Sequence, residues 1–538
     1  MKQINPRIFR QALLLPMLFF LFSTPLNAAN RFAEAAQDRP AQPARAASKP
    51  NIILVMTDDQ GYGDLGCTGN PVLQTPNIDA FWNQSLRFTD FHVSPTCAPT
   101  RSALMTGRHE FKNGVTHTVH ERERLTLKAT TIAQVLKKAG YTTGIFGKWH
   151  LGDEPKYRPD RRGFEEVFIH GAGGIGQSYP GSCGDAPGNR YFDPAILHNG
   201  RFEKTQGYCT DVFFARALKW MDDKRQAGAP FFAYITPNAP HAPLDCPEEY
   251  FKRYQGKVPN NVAKFFGMIE NIDDNFGVML KKLDEWGLAK NTLVIFMTDN
   301  GGTAGVKVFN AGMRGSKATP YQGGTRVPSF WRWPAAFTGG TDCAALTAHI
   351  DIFPTLAEIA GVKLNRALKK QVEGRSLLPL LKHPDAAWPD RFLVTHVGRW
   401  ERGKAAESKF NQCAIRDSRF TLVNNRELYD LKSDYAETTN VIDRHPAAVA
   451  RLRAAYDKWW NEALPLMVNE DVVGPKINPF KELYWKQFGG GPDEALHRKW
   501  DPASASRDAN ELSAASRNQR ASNNFNAPEG RRASGTPR

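Results

Sequence analysis

Apolar and polar positions form two patterns along the chain, one of which predicts helices and the other strands. Residues 262–287 place apolar side chains three and four positions apart, which predicts a long amphipathic helix. Residues 130–140 have similar spacing and end at a glycine, which predicts a shorter helix. Continuous apolar runs predict strands that are buried on both faces. Such runs lie within residues 51–57, 141–150, 230–243 and 291–302.

Strands that alternate with helices predict an α/β fold, in which helices cover both faces of a large, mostly parallel sheet. After about residue 375 the pattern changes to short apolar stretches with tight turns, followed by a helix over residues 446–463. We therefore expect a main domain over residues 50–375 and a smaller domain over residues 376–500. The short strands form either a separate sheet or an extension of the main sheet.

The two ends of the chain differ from this pattern. The basic segment MKQINPRIFR is followed by the apolar run ALLLPMLFFLF and then by small residues, which predicts a signal peptide over residues 1–28. That run is shorter than the roughly 20 residues that span a bilayer, so we expect an exported protein, periplasmic or secreted, with no membrane span. Residues 29–49 predict a flexible lead, and residues 501–538 are too polar to fold and predict a disordered tail.

Composition narrows the possible functions. The net charge is +15, with 70 lysines and arginines, which either steers an anionic substrate toward a cleft or forms a diffuse solvated surface. No zinc-finger spacing, basic heptad or aromatic RNA-binding motif is present, so we expect no nucleic-acid partner. The seven cysteines include no CxxC pair, which leaves structural zinc unsupported. Their odd number leaves at least one thiol unpaired, and any disulfide pairing stays open.

Polar and charged side chains follow the predicted strands at their carboxyl ends. In parallel sheets ligands bind at that edge, so we expect these side chains to meet there. Three carboxylates and an amide are typical oxygen ligands for Ca²⁺ or Mg²⁺. Basic groups around such a cation stabilise a tetrahedral oxyanion, which indicates ester hydrolysis. The residues are Asp58, Asp59, Lys148, His150, His241, Asp299 and Asn300.

The segment GAGGIG (171–176) matches the spacing of dinucleotide-binding glycines and follows a predicted strand. The next residues, QSYPGSCGDAPGN, contain prolines and glycines and cannot begin the helix that would receive a pyrophosphate. We therefore interpret this segment as a loop.

The stretch HVSPTCAPTRSALMTGRH contains C-x-P-x-R at Cys97 to Arg101, followed by T-G-R. With this motif, the chain resembles the formylglycine-dependent sulfatases, which have an alkaline phosphatase-like fold. The resemblance spans about residues 50–445 and continues through VMTDDQGYGDLGC, GYTTGIFGKWHLG, TPNAPHAP, FMTDNGG, MRGSKATPYQGGTRVP and ELYDLKSDYAETTNVI. Thr100 stands where serine is commoner in the family. The resemblance also implies that the smaller domain is an antiparallel sheet packed with a helix.

The resemblance implies that Cys97 is oxidised to Cα-formylglycine by a separate maturing enzyme before folding is complete. The aldehyde hydrate provides one oxygen to attack the sulfur of a sulfate ester and a second whose deprotonation expels sulfate by C–O cleavage. It further implies a divalent cation, Ca²⁺ with Mg²⁺ as the alternative. The implied ligands are Asp58, Asp59, Asp299, Asn300 and the modified Cys97.

The resemblance assigns roles to the basic residues as well. Arg101 and Lys148 hold the formylglycine hydrate, and His150 is the base for sulfate elimination. His241 and Lys317 contact the sulfate and help to protonate the leaving alkoxide. A further sulfate contact is expected between the Lys148 and His241 motifs, and two candidates are in range, His170 and Ser178.

Two other functions stay open beside hydrolysis of a carbohydrate or aryl sulfate. The first is a phosphodiesterase or phosphonate hydrolase of the same superfamily, whose metal ligands would look alike. A cysteine at position 97 and the lack of a second set of Asp and His ligands favour sulfate. The second is a non-catalytic binder of sulfated glycan, which would not need Cys97 and all the basic residues together.

Overall fold

The computed structural model describes residues 49–179 and 183–491. The predicted signal peptide, nearly all of the flexible lead and the predicted tail lie outside the described residues. Within the described residues, no helix has both the length and the apolar character needed to cross a membrane.

The strands of the structure are numbered in chain order. They are β1 (Asn51–Thr57), β2 (Leu86–Phe88), β3 (Phe91–His92), β4 (Thr142–Lys148), β5 (Glu166–His170), β6 (Ala195–His198), β7 (Arg201–Lys204), β8 (Phe231–Thr236), β9 (Thr292–Thr298), β10 (Ser329–Arg332), β11 (Thr341–Cys343), β12 (Thr347–Ala348), β13 (Leu393–His396), β14 (Cys413–Arg416), β15 (Phe420–Val423) and β16 (Glu427–Asp430).

The helices are numbered in the same way. They are α1 (Pro76–Asn83), α2 (Cys97–Thr106), α3 (Ile132–Lys138), α4 (Cys209–Gln226), α5 (Glu248–Tyr254), α6 (Asn260–Glu285), α7 (Gln322–Thr325), α8 (Ile352–Ile359), α9 (Arg366–Gln371), α10 (Leu378–Lys382), α11 (Pro446–Ala463) and α12 (Pro479–Phe488). The strands predicted from apolar runs correspond to β1, β4, β8 and β9, and the three predicted helices to α3, α6 and α11.

The main sheet has ten strands in the order β11-β2-β10-β9-β1-β8-β4-β5-β6-β7. The five central strands, from β9 to β5, pair in parallel. β10 is antiparallel to both of its neighbours, and β6 and β7 form an antiparallel hairpin at the far edge. The prediction of a large, mostly parallel sheet is confirmed.

Side chains of β1 alternate between two hydrophobic cores, as the two-residue repeat of a strand requires. Ile52, Leu54 and Met56 lie in one core, which also receives residues of α2, α3 and α8. Ile53 and Val55 lie in the other core, which receives residues of α1, α4 and α6. Helices therefore cover both faces of the sheet, and the apolar run of β1 is explained by burial on both sides.

The short C-terminal strands form a separate sheet. β13, β14, β15 and β16 pair antiparallel in chain order, and α11 packs against them around a third hydrophobic core. They are not an extension of the main sheet. The domain boundary between residues 375 and 376 stays a prediction. All seven cysteines lie in the described residues, and none of them forms a disulfide.

Candidate active site

The carboxyl ends of four adjacent strands deliver the predicted site residues to one edge of the main sheet. β9, β1, β8 and β4 are neighbours in that order, and each is followed by part of the predicted set. The carboxylates at the ends of β1 and β9 are at most 4% exposed. Two sets of side chains bring their ligand atoms close together, and within each set these atoms lie within 4.8 Å of one another. One set comprises Asp58, Asp59 and His241, and the other Asp58, Cys97 and Asp299.

Cys97 is the first residue of helix α2, whose ten residues are all buried. Pro99 lies in the first turn, where a helix needs no backbone N–H from it. Arg101 lies one turn further along the same face. Its guanidinium donates to Asp299 Oδ2 at 2.8 Å, to the Lys148 carbonyl at 3.1 Å and to Thr236 Oγ1 at 2.5 Å. The C-x-P-x-R motif therefore brings the thiol and the guanidinium together into the site.

Each of the three carboxylates lies closest to a different basic side chain. Lys148 Nζ lies 2.5 Å from Asp58 Oδ2, and Lys317 Nζ lies 2.5 Å from Asp59 Oδ1. Arg101 supplies the third pair, with Asp299. Burial and the neighbouring carboxylates raise the pKa of Asp299 to about 6. Three carboxylates and three cations thus lie together, largely buried, and their formal charges balance.

Two buried oxygens at the centre of this group accept no hydrogen bond from any described residue: Asp58 Oδ1 and Asn300 Oδ1. Burial is also the largest cause that raises the pKa of Asp58 to about 6, against the opposing effect of Lys148. Buried polar atoms normally find a partner, so unpaired acceptors indicate room for a bound cation. With Asp59 and Asp299 they form an all-oxygen donor set that fits Ca²⁺ or Mg²⁺.

His150 faces Cys97 with a defined ring nitrogen. Its Nε2 lies 2.8 Å from the Thr118 carbonyl, and its Nδ1 lies 3.5 Å from Cys97 Sγ. A carbonyl only accepts, so Nε2 carries the proton and Nδ1 presents a lone pair to the thiol. Burial, followed by Lys148, holds the pKa of His150 well below its ordinary value. The backbone of His150 is left-handed, with φ of 57°, a strained conformation that is concentrated at functional sites.

His241 occupies the opposite side of the group. Its Nδ1 donates to the Ala242 carbonyl at 2.6 Å, which leaves Nε2 directed toward Asp59, 3.8 Å from Oδ2. Burial alone would raise the pKa of the Cys97 thiol, but Lys148 and Lys317 outweigh burial and lower it. The site therefore favours an anion at position 97, with a histidine on either side.

Sequence reasoning missed several groups that complete the site. The Thr118 carbonyl orients His150, and the Thr236 hydroxyl accepts from Arg101. The GAGGIG segment is a loop, as predicted, but a Cβ at Gly173 or Gly174 would contact a site histidine. Only the density of glycines could have indicated this close approach.

The two candidates for a further sulfate contact have no demonstrated role. His170 is fully buried at the end of β5, with Nδ1 4.0 Å from Asp185 Oδ2. Ser178 forms an isolated antiparallel bridge with Gly184. The identity of the further contact stays a prediction.

Two family models match the chain: sulfatase over residues 50–362, and the C-terminal region of N-sulphoglucosamine sulphohydrolase over residues 316–457. Arylsulfatase G of Rattus norvegicus is 32% identical over 411 residues, which cover 67% of this chain and 76% of that protein. N-acetylgalactosamine-6-sulfatase of Homo sapiens is 32% identical over 361 residues, which cover 62% of this chain and 66% of that protein.

A crystal structure of Ps i-CgsB in complex with k-i-k-neocarrahexaose has the same fold, with a TM-score of 0.67 and 26% identity. The match covers 84% of this chain and 100% of that chain. The family model alone covers more than half of the chain and includes all of the site residues described above. The chain therefore belongs to the sulfatase family, within the alkaline phosphatase superfamily, and is a sulfuric ester hydrolase.

Proposed function

We propose that this sulfatase removes sulfate from sulfated carbohydrates, with a formylglycine made from Cys97 and a bound Ca²⁺ ion. The observation that carries the proposal is the grouping of Asp58, Cys97 and Asp299, whose ligand atoms lie within 4.8 Å of one another. A thiol with a structural role has no reason to lie among carboxylates with a histidine lone pair facing it. The cation would be held by Asp58, Asp59, Asp299 and Asn300.

The two added groups supply chemistry that the twenty ordinary side chains lack. A bound cation withdraws charge from the sulfate oxygens and from the attacking oxygen. The aldehyde hydrate supplies a hydroxyl that attacks sulfur and a second hydroxyl whose deprotonation expels sulfate by C–O cleavage. Making the aldehyde requires oxidation of the Cys97 side chain by a formylglycine-generating enzyme, which we expect as a partner during synthesis.

His150 is the base in this proposal because of its tautomer. The Thr118 carbonyl accepts the Nε2 proton, so Nδ1 is free to accept a proton from the group at position 97, 3.5 Å away. Arg101 and Lys148 stabilise the negative charge that this deprotonation creates. Their own contacts with Asp299 and Asp58 hold both side chains in position before substrate binds.

His241 and Lys317 act on the substrate side. Both contact Asp59, and His241 is the less buried of the two histidines. In the protonated form, His241 Nε2 can donate to the oxygen of the departing alcohol. An alkoxide is a poor leaving group, so a positioned acid contributes on the order of 10²–10⁴-fold.

Two relatives support a carbohydrate substrate. The human N-acetylgalactosamine-6-sulfatase is 32% identical, and the Ps i-CgsB structure, 26% identical, contains a neocarrahexaose. A sulfated polysaccharide or its fragments would be met outside the cell, which agrees with the predicted signal peptide and export to the periplasm or medium. The exchange of calcium for magnesium would keep the same donor set.

The test is to express the chain with and without a formylglycine-generating enzyme and to assay an aryl sulfate, an aryl phosphate and a panel of sulfated sugars. We expect sulfatase activity only after co-expression, with a peptide mass at residue 97 lowered by the thiol-to-aldehyde change. Cys97→Ala is the matched control and should be inactive in both preparations. Hydrolysis of the phosphate in preference to the sulfate would support the phosphoester alternative, and binding of sugars without turnover by modified protein would support a glycan binder.

A further inference from the structure

The glycine loop, residues 171–177 (GAGGIGQ), packs its backbone against both site histidines. A Cβ on Gly173 would lie 2.8 Å from His150 Cε1, and a Cβ on Gly174 would lie 2.7 Å from His241 Nδ1. Neither glycine has a positive φ angle, although Gly176 does. The backbone conformation therefore tolerates a side chain at these two positions. At Gly173 the only atoms closer than 3.4 Å to the added Cβ belong to the His150 ring, and at Gly174 the closest is in the His241 ring.

Each glycine lies against the histidine of a different reaction step. Gly173 contacts the ring whose Nδ1 faces Cys97, and Gly174 contacts the ring whose Nε2 faces Asp59. A Cβ on Gly174 would also lie 2.9 Å from the Ala242 carbonyl, the acceptor that fixes the tautomer of His241. A methyl group at either position would thus move one ring and leave the other in place.

The loop is held from behind, so it cannot simply retreat from an added methyl group. Asp185 accepts from the Gly176 N–H at 2.8 Å. At the base of the loop, a Cβ on Gly171 would lie 2.1 Å from the Gly184 carbonyl and 2.8 Å from the ring of Phe480. Phe480 belongs to α12, which lies beyond both family matches.

A second residue of the same C-terminal segment braces this region. Asn478, which caps α12, donates to Asp153 Oδ2 at 2.7 Å, and the Gly184 N–H donates to the same oxygen at 3.1 Å. The buried carboxylate of Asp153 therefore links α12 to Gly184, whose carbonyl lies against Gly171 at the start of the glycine loop. Both histidine rings therefore lie between the other site residues and the glycine loop, which is itself held in place by Asp185 and α12.

We propose that Gly173 and Gly174 are positioning residues, which set the two histidine rings independently: Gly173 for the base and Gly174 for the leaving-group acid. The inference rests on the proposed function. An added Cβ demands a displacement of several tenths of an ångström to about 1 Å, and a misplacement of 1 Å can cost about 10²-fold in rate. The two glycines should therefore have separable kinetic effects.

The experiment compares Gly174→Ala and Gly173→Ala, both co-expressed with a formylglycine-generating enzyme, on aryl sulfates of decreasing leaving-group acidity and on a sulfated sugar. For Gly174→Ala we expect kcat/KM to fall about 10- to 100-fold with the poorest leaving groups and within threefold with nitrophenyl sulfate, which needs no acid. For Gly173→Ala we expect kcat to fall equally for all esters, with a burst of nitrophenol before a slow steady state.

Gly200→Ala is a control for an added methyl group away from the site, because the new Cβ in the β6–β7 turn meets no described atom within 4 Å. Gly200 has a φ of 90°, which strains an alanine, so Tm is measured beside the kinetics to separate a loss of stability from a loss of rate. This variant should keep the wild-type kcat/KM for every ester. A second control is the pair His241→Ala and His241→Ala/Gly174→Ala. If Gly174 acts through the ring, most of the cost of the added methyl group disappears once the ring is gone, and only its 2.9 Å approach to the Ala242 carbonyl remains.

Equal losses across all leaving groups in Gly174→Ala, or a full additional loss in the double variant, would overturn the inference while the proposed function stands. If Gly174→Ala does not fold, the double variant still decides, since it removes the closer of the two clashes, the one with the His241 ring. A modified wild-type enzyme that hydrolyses no sulfate ester would overturn the proposed function and the inference together.

Discussion

Replacing Lys148 with methionine should have opposite effects on catalysis and on cation binding. Lys148 and Asp58 are both fully buried, and the ammonium lies 2.5 Å from one carboxylate oxygen. Removing one partner of a buried ion pair costs about 3–5 kcal/mol. About 440 ordered residues give an unfolding entropy of roughly 0.9 kcal/mol/K, so Tm in the presence of chelator should fall by about 3–5 °C.

A divalent cation can replace the lost charge. In Lys148→Met the cation no longer competes with the ammonium for Asp58, so its affinity should rise. A tenfold gain in affinity corresponds to about 1.4 kcal/mol, less than half of the pair energy estimated above, and we expect at least that gain. Activity should fall more than about 100-fold, because the charge that forms at position 97 loses its ammonium.

Titration calorimetry with CaCl₂, scanning fluorimetry with CaCl₂ or chelator, and aryl sulfate kinetics measure the three effects. The matched control is Lys486→Met, which removes an exposed pair with Glu482; it should change Tm and Ca²⁺ affinity little, since such pairs contribute at most about 1 kcal/mol. Unchanged or weaker Ca²⁺ binding by a folded Lys148→Met protein would refute the reasoning, because Asp58 would then not be a ligand.

Two further predictions concern stability. Asp351→Asn breaks a buried pair with Arg391, at 2.7 Å, and should cost about 3–5 kcal/mol while leaving KM for an aryl sulfate unchanged; a large KM change in thermally unaltered protein would contradict this. Burial raises the pKa of the Asp64 carboxyl from 3.8 to about 7. The folded state therefore keeps a proton that the unfolded chain loses, so the fold is more stable at low pH, and this contribution to stability is lost as the pH rises from about 4 to about 7. Urea unfolding at pH 5 and 8 should therefore show wild-type losing roughly 2.6 kcal/mol relative to Asp64→Asn, because pH 5 lies about two units below the pKa of the folded state. A pH-independent difference would contradict the assignment.

The main strands were predictable because burial on both faces leaves a direct mark on sequence. β1 and β9 are continuous apolar runs, and their polar ends identify the catalytic edge of the sheet. The short strands β2, β3 and β10–β12 contain only two to four residues each, too few for a period to emerge. Their positions depend on long-range pairing, such as that of Phe330 with Arg87.

In the candidate site, too, some residues could be predicted from the sequence and others could not. Asp58, Cys97 and His241 stand in local motifs whose residue types indicate their chemistry. The Thr118 carbonyl could not be predicted, since a backbone acceptor has no side-chain identity. The glycine loop was recognised as a loop, but its contact with His150 arises from packing between segments distant in the chain. Sequence thus predicts reactive groups better than it predicts what orients them.

The burial of helix α2 has a consequence for the proposed modification of Cys97. Cys97 is 2% exposed, and no residue around it in the helix is accessible either. Under the proposed function, an enzyme that oxidises Cys97 has to reach the side chain before helix α2 is buried. We expect protein that folds with unmodified Cys97 to stay inactive, and a formylglycine-generating enzyme added afterwards to restore activity only after denaturation. We therefore expect the yield of active enzyme to depend on the rate of Cys97 oxidation relative to the rate at which helix α2 becomes buried during synthesis.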